Sequence, residues 1–517
     1  MMKLACCVMV SLGLLAAANP PLPDRAAARF LDQATWGPTP ATISQLQQQG
    51  FDAWLQAQFA LKTSDLPDQP ILNAAGNANG NLTPVQSAFF QNTLTQPDQL
   101  RQRVAFALSQ IWVVSAESGV RYAYAFPPYW RIFRDNTFGN YADIIKAVSL
   151  SPAMGRYLNM ANNNKGNPAK GTAANENYTR ELMQLFTLGL TQLNPDGSPV
   201  LDQNHQPVPT YTQAEVTSMA KALTGWTYPT APGATAKANN PEYYIGQMFA
   251  VEANHDTSEK TIFGGVIIPA GQTAEQDLAS VITALMNQPT MAPFVSQQLI
   301  QHLVTSNPSP GYIERVASVF TNDGNGVRGN MQAVITAILM DPEARAADDP
   351  NATPVANFGH LREPILLMAN LLRGLNATLS STSAIYNDSA NMGQNLFYPP
   401  SVFSYFSPQY RTEHGLLGPE FQIYSTSTAA QRGDIVNSIL YATLDKGTKV
   451  NLQPFLQQDG DFPLMLDYIS YVFLHHSMSS DLQSAAMEAA RVQTTSTAQV
   501  QAALYIVLTS GEYQVIQ

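Results

Sequence analysis

Charged side chains are scarce in this 517-residue chain. They make up 13% of the residues, against about a quarter in ordinary globular proteins. The charges present are mainly acidic, with 38 Asp and Glu against 27 Lys and Arg and a formal net charge of −11. Binding to nucleic acid and docking on anionic membranes both depend on clustered Lys and Arg, so neither is predicted. The polar surface must instead consist largely of Asn, Gln, Ser and Thr.

Cysteine is nearly absent, and the two cysteines, Cys6 and Cys7, lie in a segment with the features of an export signal peptide. Residues 1–18 contain a positive Lys3, an apolar stretch at 4–15 and a small-residue cleavage site at 16–18. The apolar stretch is shorter than the ~20 residues that span a bilayer, which disfavours an uncleaved anchor. Both cysteines also come too early for a lipoprotein site.

Cleavage of this signal peptide leaves a chain without cysteine. Disulfides, a thiol nucleophile and a zinc–thiolate site are then all excluded. We expect a periplasmic or extracellular protein with no membrane span after cleavage.

Apolar residues recur with a 3.6-residue period along most of the chain, which predicts helices. Capping boxes are predicted at Thr212–Glu215 and Thr273–Gln276, because each pair can satisfy free backbone donors reciprocally. Further helix starts are predicted at Ser309, Asn330 and Ser480, the last with Gln483 as its reciprocal partner. Clear helical stretches are predicted at 98–115, 361–375, 462–475 and 497–509.

Evidence for strands is limited to two stretches. Residues 200–211 follow an Asp196-Gly197 turn and predict a small hairpin, and residues 261–269 predict a short extended segment. The predicted fold is therefore mainly α, a large multi-helix globular domain with long polar loops and at most a small β-hairpin. We divide the mature chain into a main helical domain at 19–377 and a C-terminal helical region at 378–517, packed on the same core.

The densest polar motif covers residues 175–189. Glu176 and Arg180 are spaced i,i+4 on the polar side of a predicted helix, which a surface salt bridge explains equally well. Glu181 lies at the border of the apolar arc, where partial burial would raise its pKa. Glu181 is therefore either a general acid or base or metal ligand, or a structural carboxylate bonded to loop amides. The apolar arc is formed by Tyr178, Leu182, Leu185 and Phe186.

Short motifs of comparable density occur along nearly the whole chain. They include residues 28–31, 34–39, 101–110, 224–226, 255–256, 362–364, 393–394, 399–403 and 419–421. Together with residues 175–189 they resemble the bacterial proteins grouped as domain of unknown function 1800. The resemblance implies a mostly helical exported protein. Members of this family are often encoded beside an exported alkaline-phosphatase-like protein, so such a protein is a predicted partner.

Histidines offer a second group of candidates. His255 and Asp256 precede Lys260 in a polar segment, either as an oriented base or metal ligand or as a pair that orders the loop. His302 lies in an apolar helix and is expected to be a core histidine. No HExxH, EF-hand, P-loop or nucleophile elbow is legible, so neither a metal nor a cofactor is predicted.

Two aromatic-rich stretches, 122–130 and 395–410, fit either sugar stacking or core packing. Two functions consequently stay open. The first is an exported protein that binds or scaffolds an extracellular or envelope partner or polymer, a glycan among them. The alternative is a secreted hydrolase or lyase that acts on a glycan through an acid/base site centred on Glu181. The candidate catalytic residues are Glu181, Glu176, Asp256 and His255. The candidate binding residues are Arg180, Asn175, Trp226, Lys260 and Gln394.

Overall fold

A computed structural model of the protein describes residues 22–351, 355–441, 443–445, 447–457 and 461–517. The predicted signal peptide at 1–18 lies outside the described residues. The described part of the chain is mainly α, as predicted. Its first helices are α1 (Asp24–Ala34), α2 (Pro40–Gln49), α3 (Phe51–Ala60), α4 (Thr83–Thr95), α5 (Gln99–Ile111), α6 (Phe126–Asn136), α7 (Tyr141–Ser149), α8 (Pro152–Tyr157), α9 (Asn177–Glu181), α10 (Gln213–Ala222), α11 (Ala274–Met286) and α12 (Met291–Leu303).

The remaining helices include three of only four residues each. They are α13 (Pro310–Thr321), α14 (Met331–Met340), α15 (Pro342–Arg345), α16 (Pro364–Gly374), α17 (Ser383–Asn391), α18 (Thr426–Leu440), α19 (Gln453–Leu456), α20 (Phe462–Ile469), α21 (Ser480–Arg491), α22 (Ser496–Thr509) and α23 (Gly511–Gln514). Two π-helical turns, Leu182–Thr187 and Ser470–Leu474, extend α9 and α20.

Strands in the described residues form three short antiparallel pairs. The predicted extended segment at 261–269 is one of these pairs, because Gly264 and Gly265 adopt positive φ and reverse the chain. The stretch at 200–211 makes only isolated bridges, since its prolines lack the N–H that a regular ladder needs. The pairs are β1 (Trp226–Thr227) with β2 (Phe249–Ala250), β3 (Lys260–Ile262) with β4 (Val266–Ile268), and β5 (His360–Leu361) with β6 (Val515–Ile516).

Helix starts follow the predicted caps in most cases. Both capping boxes are present, at the starts of α10 and α11, and Ser309 and Asn330 cap α13 and α14. The predicted cap at Ser480 is wrong. Ser479 has the extended backbone of a cap and its hydroxyl accepts from the Leu482 N–H, whereas Ser480 is already helical and makes no capping box with Gln483.

Other helix ends differ from the sequence pattern because distant contacts decide them. The stretch predicted from 361 begins only at Pro364, since β5 pairs residues 360–361 with β6. The helix predicted at 462–475 changes to a π-helical turn at Ser470 and ends at His475, which has a left-handed backbone.

One hydrophobic cluster runs through the described residues from Ala27 to Ile516 and includes side chains from both predicted regions. The boundary near residue 377 stays a prediction.

Inside the protein, Arg362 donates two hydrogen bonds to the Asp32 carboxylate, at 2.8 and 2.6 Å. No helix in the described ranges is both long and apolar enough to cross a membrane.

Candidate functional site

A cavity of about 480 Å³ opens between α12, the π-helical turn Leu182–Thr187 and the aromatic segment around 402–420. Its volume falls in the range of roughly 300–1,000 Å³ that is usual for ligand pockets. We call it the glutamine cavity, because six glutamines line it. They are Gln110, Gln184, Gln297, Gln298, Gln301 and Gln409.

Two of these glutamines are held with their carbonyl oxygens free. The Nε2 of Gln110 donates to Glu363 Oε1 at 3.3 Å, and the Nε2 of Gln301 donates to the Ser306 carbonyl at 3.2 Å. The Ser306 carbonyl can only accept, which fixes the orientation of the Gln301 amide, and the ionised carboxylate of Glu363 fixes the Gln110 amide in the same way. Both Oε1 atoms are buried and have no hydrogen-bond partner among the described residues. The same holds for the Nε2 of Gln298. Buried polar atoms are normally hydrogen-bonded, so these three are available to water or to a ligand.

The aromatic rings in the lining are those of three phenylalanines, Phe294, Phe403 and Phe406. Phe403 is 42% exposed, which opens one ring to solvent at the cavity. The two aromatic stretches in the sequence have different places in the fold. The stretch 122–130 packs mainly in the core, with Tyr124 and Trp130 buried. The stretch 395–410 contributes to the cavity wall.

Glu420 is the one carboxylate among the described residues that line the cavity. It is 3% exposed and lies in the short 3-10 turn Pro419–Ile423. Its Oε1 accepts from the Nδ1 of His360 at 3.1 Å, and its Oε2 lies 3.5 Å from the Ser306 hydroxyl. The Nε2 of His360 is buried and unpartnered within the described chain. One carboxylate oxygen is thus fixed, while the other makes only a long contact.

A second carboxyl, that of Glu363, is buried behind the cavity wall. Its two oxygens accept from Gln110 and Gln394. Burial raises the pKa of Glu363, and the Glu420 charge adds to the rise against the opposing Arg103 guanidinium. Glu363 therefore favours its protonated form more than an exposed glutamate does.

His302 contributes an imidazole to the cavity lining. Its ring makes no hydrogen bond with the described residues, and its side chain is only partly buried, unlike the core histidine expected from the apolar helix. Burial, together with the Arg103 and His360 charges, lowers the pKa of His302 to about 3. A neutral imidazole at pH 7 offers the cavity one N–H donor and one acceptor.

Glu181 is half-buried, as its border position predicts, and its carboxylate bonds no described residue. Burial raises the pKa of Glu181, and the Arg180 charge offsets part of that rise. Its charge in turn helps to raise the pKa of Tyr157 and Tyr211. Glu181 ends α9, one turn before Gln184, which lines the glutamine cavity.

Glu176 and Arg180 lie on the protein surface and link α9 to α10. Glu176 accepts from Arg180 at 2.9 Å, from Gln213 at 2.9 Å and from Thr217 at 2.7 Å. Despite partial burial, these hydrogen bonds and the Arg180 charge lower the pKa of Glu176. The pair is an i,i+4 salt bridge on α9, and the bonds of Glu176 to Gln213 and Thr217 tie it to α10.

Asn175 and Trp226 lie on either side of Asn163. The Asn175 N–H donates to Asn163 Oδ1 at 2.7 Å, and the Asn163 Nδ2 donates back to the Asn175 carbonyl at 3.0 Å. The carbonyl of Asn163 accepts from the Gly225 N–H, which precedes Trp226. Trp226 is 2% exposed, and its Nε1 has no partner among the described residues.

His255 and Lys260 meet at a carboxylate that is distant in sequence, Asp277 in α11. The Asp277 Oδ2 lies 2.7 Å from Lys260 Nζ and 3.1 Å from His255 Nε2, and all three side chains are fully buried. The His255 Nδ1 lies 3.0 Å from the Thr224 carbonyl, and Lys260 Nζ also donates to the Ser258 carbonyl. These three buried side chains, His255, Lys260 and Asp277, form what we call the core ion cluster.

Asp256 points away from this cluster and accepts from the Ser258 N–H at 2.9 Å and from its hydroxyl. Partial burial acts to raise the pKa of Asp256, but the two hydrogen bonds from Ser258 outweigh it, and the pKa is lowered. Gln394 is completely buried, with its Oε1 accepting from the Ile365 N–H and its Nε2 donating to Glu363. It supports the start of α16 and the wall of the glutamine cavity.

The described residues contain no group of three or more His, Cys, Asp or Glu placed to hold a metal ion.

The family described as "Protein of unknown function (DUF1800)" matches residues 29–515. The chain belongs to the DUF1800 family. Nothing among the curated proteins or the solved structures matches it.

Four features of this DUF1800 protein were not predicted from its sequence: the glutamine lining, the neutral His302, the Glu420–His360 bond and Asp277. Gln297 and Gln301 are spaced i,i+4 on α12, which is a detectable polar stripe on an otherwise apolar helix. Asp277 immediately precedes the apolar positions of α11, where a carboxylate needs a buried partner. The bond between Glu420 and His360 joins residues 60 positions apart and has no local signal.

Proposed function

We propose that this DUF1800 protein is an exported protein that binds an uncharged carbohydrate polymer in the glutamine cavity. The observation that carries the proposal is the pair of fixed, unpartnered amide oxygens on Gln110 and Gln301. Hydroxyl groups are the natural partners for such acceptors, and Gln298 adds a free donor.

The composition of the wall supports the same ligand class. Sugar rings present C–H faces that pack on aromatic rings, and Phe403 and Phe406 supply such rings beside the amides. A cavity with one carboxylate, one rim arginine and six glutamines suits a neutral ligand better than a strongly charged one.

Export to the periplasm or the extracellular space is part of this proposal and rests on the signal peptide in the sequence. Association with an exported alkaline-phosphatase-like protein also stays a prediction, from the family resemblance alone. Co-purification of the two proteins from the native organism tests that partnership directly.

Calorimetric titration of the purified protein with neutral oligosaccharides, cello- and xylo-oligosaccharides first, tests the binding proposal. We expect Gln301→Leu and Phe403→Ala each to weaken binding by about tenfold or more, as loss of a desolvated polar or aromatic contact does. Gln457→Leu, at an exposed glutamine outside the cavity, serves as the matched control and leaves binding unchanged. Equal affinity of all three variants, or no binding by any neutral glycan, would overturn the proposal.

A second candidate, a glycan hydrolase or lyase site centred on Glu181, is favoured by one observation. Glu181 is a half-buried carboxyl with a raised pKa and no hydrogen bond to a described residue, as general acids often are. Glu181→Gln tests it: an enzyme loses turnover with an unchanged melting temperature. Since Glu181 bonds nothing that the substitution would break, a large loss of stability is not expected. Unchanged turnover, or no turnover in either protein, excludes this candidate.

A further inference from the structure

We infer that the glutamine cavity hydrolyses an ester carried by its carbohydrate ligand, with Glu420 as general base and His302 polarising the ester carbonyl. This inference rests on the proposed carbohydrate binding and adds a reaction to it. Both side chains line the same cavity. The Oε2 of Glu420 makes only a 3.5 Å contact with the Ser306 hydroxyl, and the His302 ring bonds no described residue.

Glu420 has the environment that a general base needs. The His360 N–H fixes Oε1, so the carboxylate plane is held, and the 3.5 Å contact of Oε2 with Ser306 leaves that oxygen free to accept a proton. Because the side chain is 3% exposed, a water molecule bound there is shielded from bulk solvent.

His302 complements this base as an electrophile. Its ring is open to the cavity and bonds no described residue, so its N–H is available to a ligand oxygen. A pKa of about 3 keeps the imidazole neutral at pH 7, and a neutral imidazole stabilises developing negative charge by hydrogen bonding without losing its proton. The free Nε2 of Gln298 is a second donor in the same lining.

The number of carboxylates selects the reaction class. Glycoside hydrolysis normally uses two carboxyl groups that both reach the glycosidic bond, and the described lining holds only Glu420. Glu363 is completely buried behind Gln110 and does not line the cavity. Ester hydrolysis needs a single base, because the proton taken from water is returned to the departing alcohol.

The reaction is balanced with water as the only co-reactant. Glu420 takes a proton from water while the water oxygen bonds to the carbonyl carbon, and the carbonyl electron pair moves onto the oxygen facing His302. When that pair re-forms the double bond, the bond to the alcohol oxygen breaks. Glu420 then donates its proton to that oxygen, giving a carboxylic acid and a free hydroxyl, with no change in oxidation state.

Acetate release from chemically acetylated cello-oligosaccharides and from p-nitrophenyl acetate tests the inference, measured by NMR on the purified protein. We expect Glu420→Gln to lower kcat by about 100-fold or more, and His302→Leu by a similar factor. Glu413→Gln is the matched control, since Glu413 belongs to the same segment but its side chain is 87% exposed. It keeps wild-type turnover.

A measurement on the wild-type protein guards against variants that fail to fold. Hydrolysis in ¹⁸O-labelled water must place a single heavy oxygen in the acetate and none in the sugar hydroxyl. Binding of the unacetylated oligosaccharide without any acetate release would overturn the esterase inference and leave the binding proposal standing. Failure to bind either oligosaccharide would overturn both. Turnover that survives Glu420→Gln in a folded variant would also contradict the inference.

Discussion

Replacement of Asp277 by asparagine tests whether the core ion cluster is structural rather than catalytic. The substitution keeps the shape of the side chain but leaves the Lys260 ammonium, 2.7 Å away and fully buried, without its counter-charge. His255 loses the carboxylate that faces its Nε2 at 3.1 Å. The cavity described above contains none of these three residues, so its ligand binding should not change at temperatures where the variant is folded.

The size of the effect follows from the burial of the pair. Removing one member of a buried ion pair costs roughly 3–5 kcal/mol, because an uncompensated charge stays in the core. With an unfolding entropy of about 2.1 cal/mol/K per residue, a 517-residue chain that unfolds as one unit has about 1.1 kcal/mol/K. Asp277→Asn should therefore lower Tm by about 3–5 °C.

Thermal and urea unfolding of four proteins provides the assay: wild type, Asp277→Asn, Lys260→Met, and the double variant. Removing both charges together should restore part of the loss, since a well-packed apolar replacement of a buried pair is often neutral. Asp481→Asn, an exposed aspartate in the first turn of α21, is the control and should cost well under about 1 kcal/mol. A single variant as stable as wild type, or a double variant less stable than both singles, would refute this reasoning.

Three further predictions concern stability. Gly225→Ala should destabilise by about 1–3 kcal/mol in urea unfolding, because Gly225 has a φ of +91° and a new Cβ would lie 2.9 Å from the Cβ of His255. Gly233→Ala, at a φ of +78° with open space around it, should cost less, and an equal loss would contradict the packing argument. Asp98→Asn should matter more at neutral than at acid pH. Burial opposes ionisation of Asp98, but four hydrogen bonds lower its pKa. Its ionised form therefore stabilises the fold above the unfolded pKa near ~4, and this contribution is lost as the pH falls through the lower folded value. Unfolding free energies of wild type and variant should converge between pH 6 and pH 2, and a constant gap would contradict the assignment. Thr212→Ala should cost about 1 kcal/mol through loss of the α10 cap, and an unchanged urea midpoint would show that the cap contributes nothing.

Local patterns in the sequence were sufficient for much of the fold. Apolar periodicity and capping residues predicted where α10, α11, α13 and α14 begin, because the first turn of a helix is stabilised by residues three positions apart. The border position of Glu181 was likewise sufficient to predict its partial burial and raised pKa. These features depend on neighbours within one or two helical turns.

The features that were missed depend on residues far apart in the chain. The start of α16 is displaced because β5 pairs with β6, more than 150 positions away, and hydrophobic periodicity carries no information about that pairing. His255 and Lys260 were identified as candidates, but their shared partner Asp277 was not. The glutamine cavity was missed for the same reason, since its wall combines residues from α5, α12 and the segment around Glu420.

The hydrogen bonds between Asp32 and Arg362 join residues separated by 330 positions. Closing a loop of that length costs entropy before its contacts are gained. Arg362 stands between His360 and Glu363, and its docking on α1 brings both side chains towards Gln110 and Glu420. Individual helices can form while the chain is still being synthesised, but the glutamine cavity is complete only after this long-range closure. The cavity in which we propose ligand binding therefore exists only once residues from distant parts of the chain have met, and a partly folded chain lacks it.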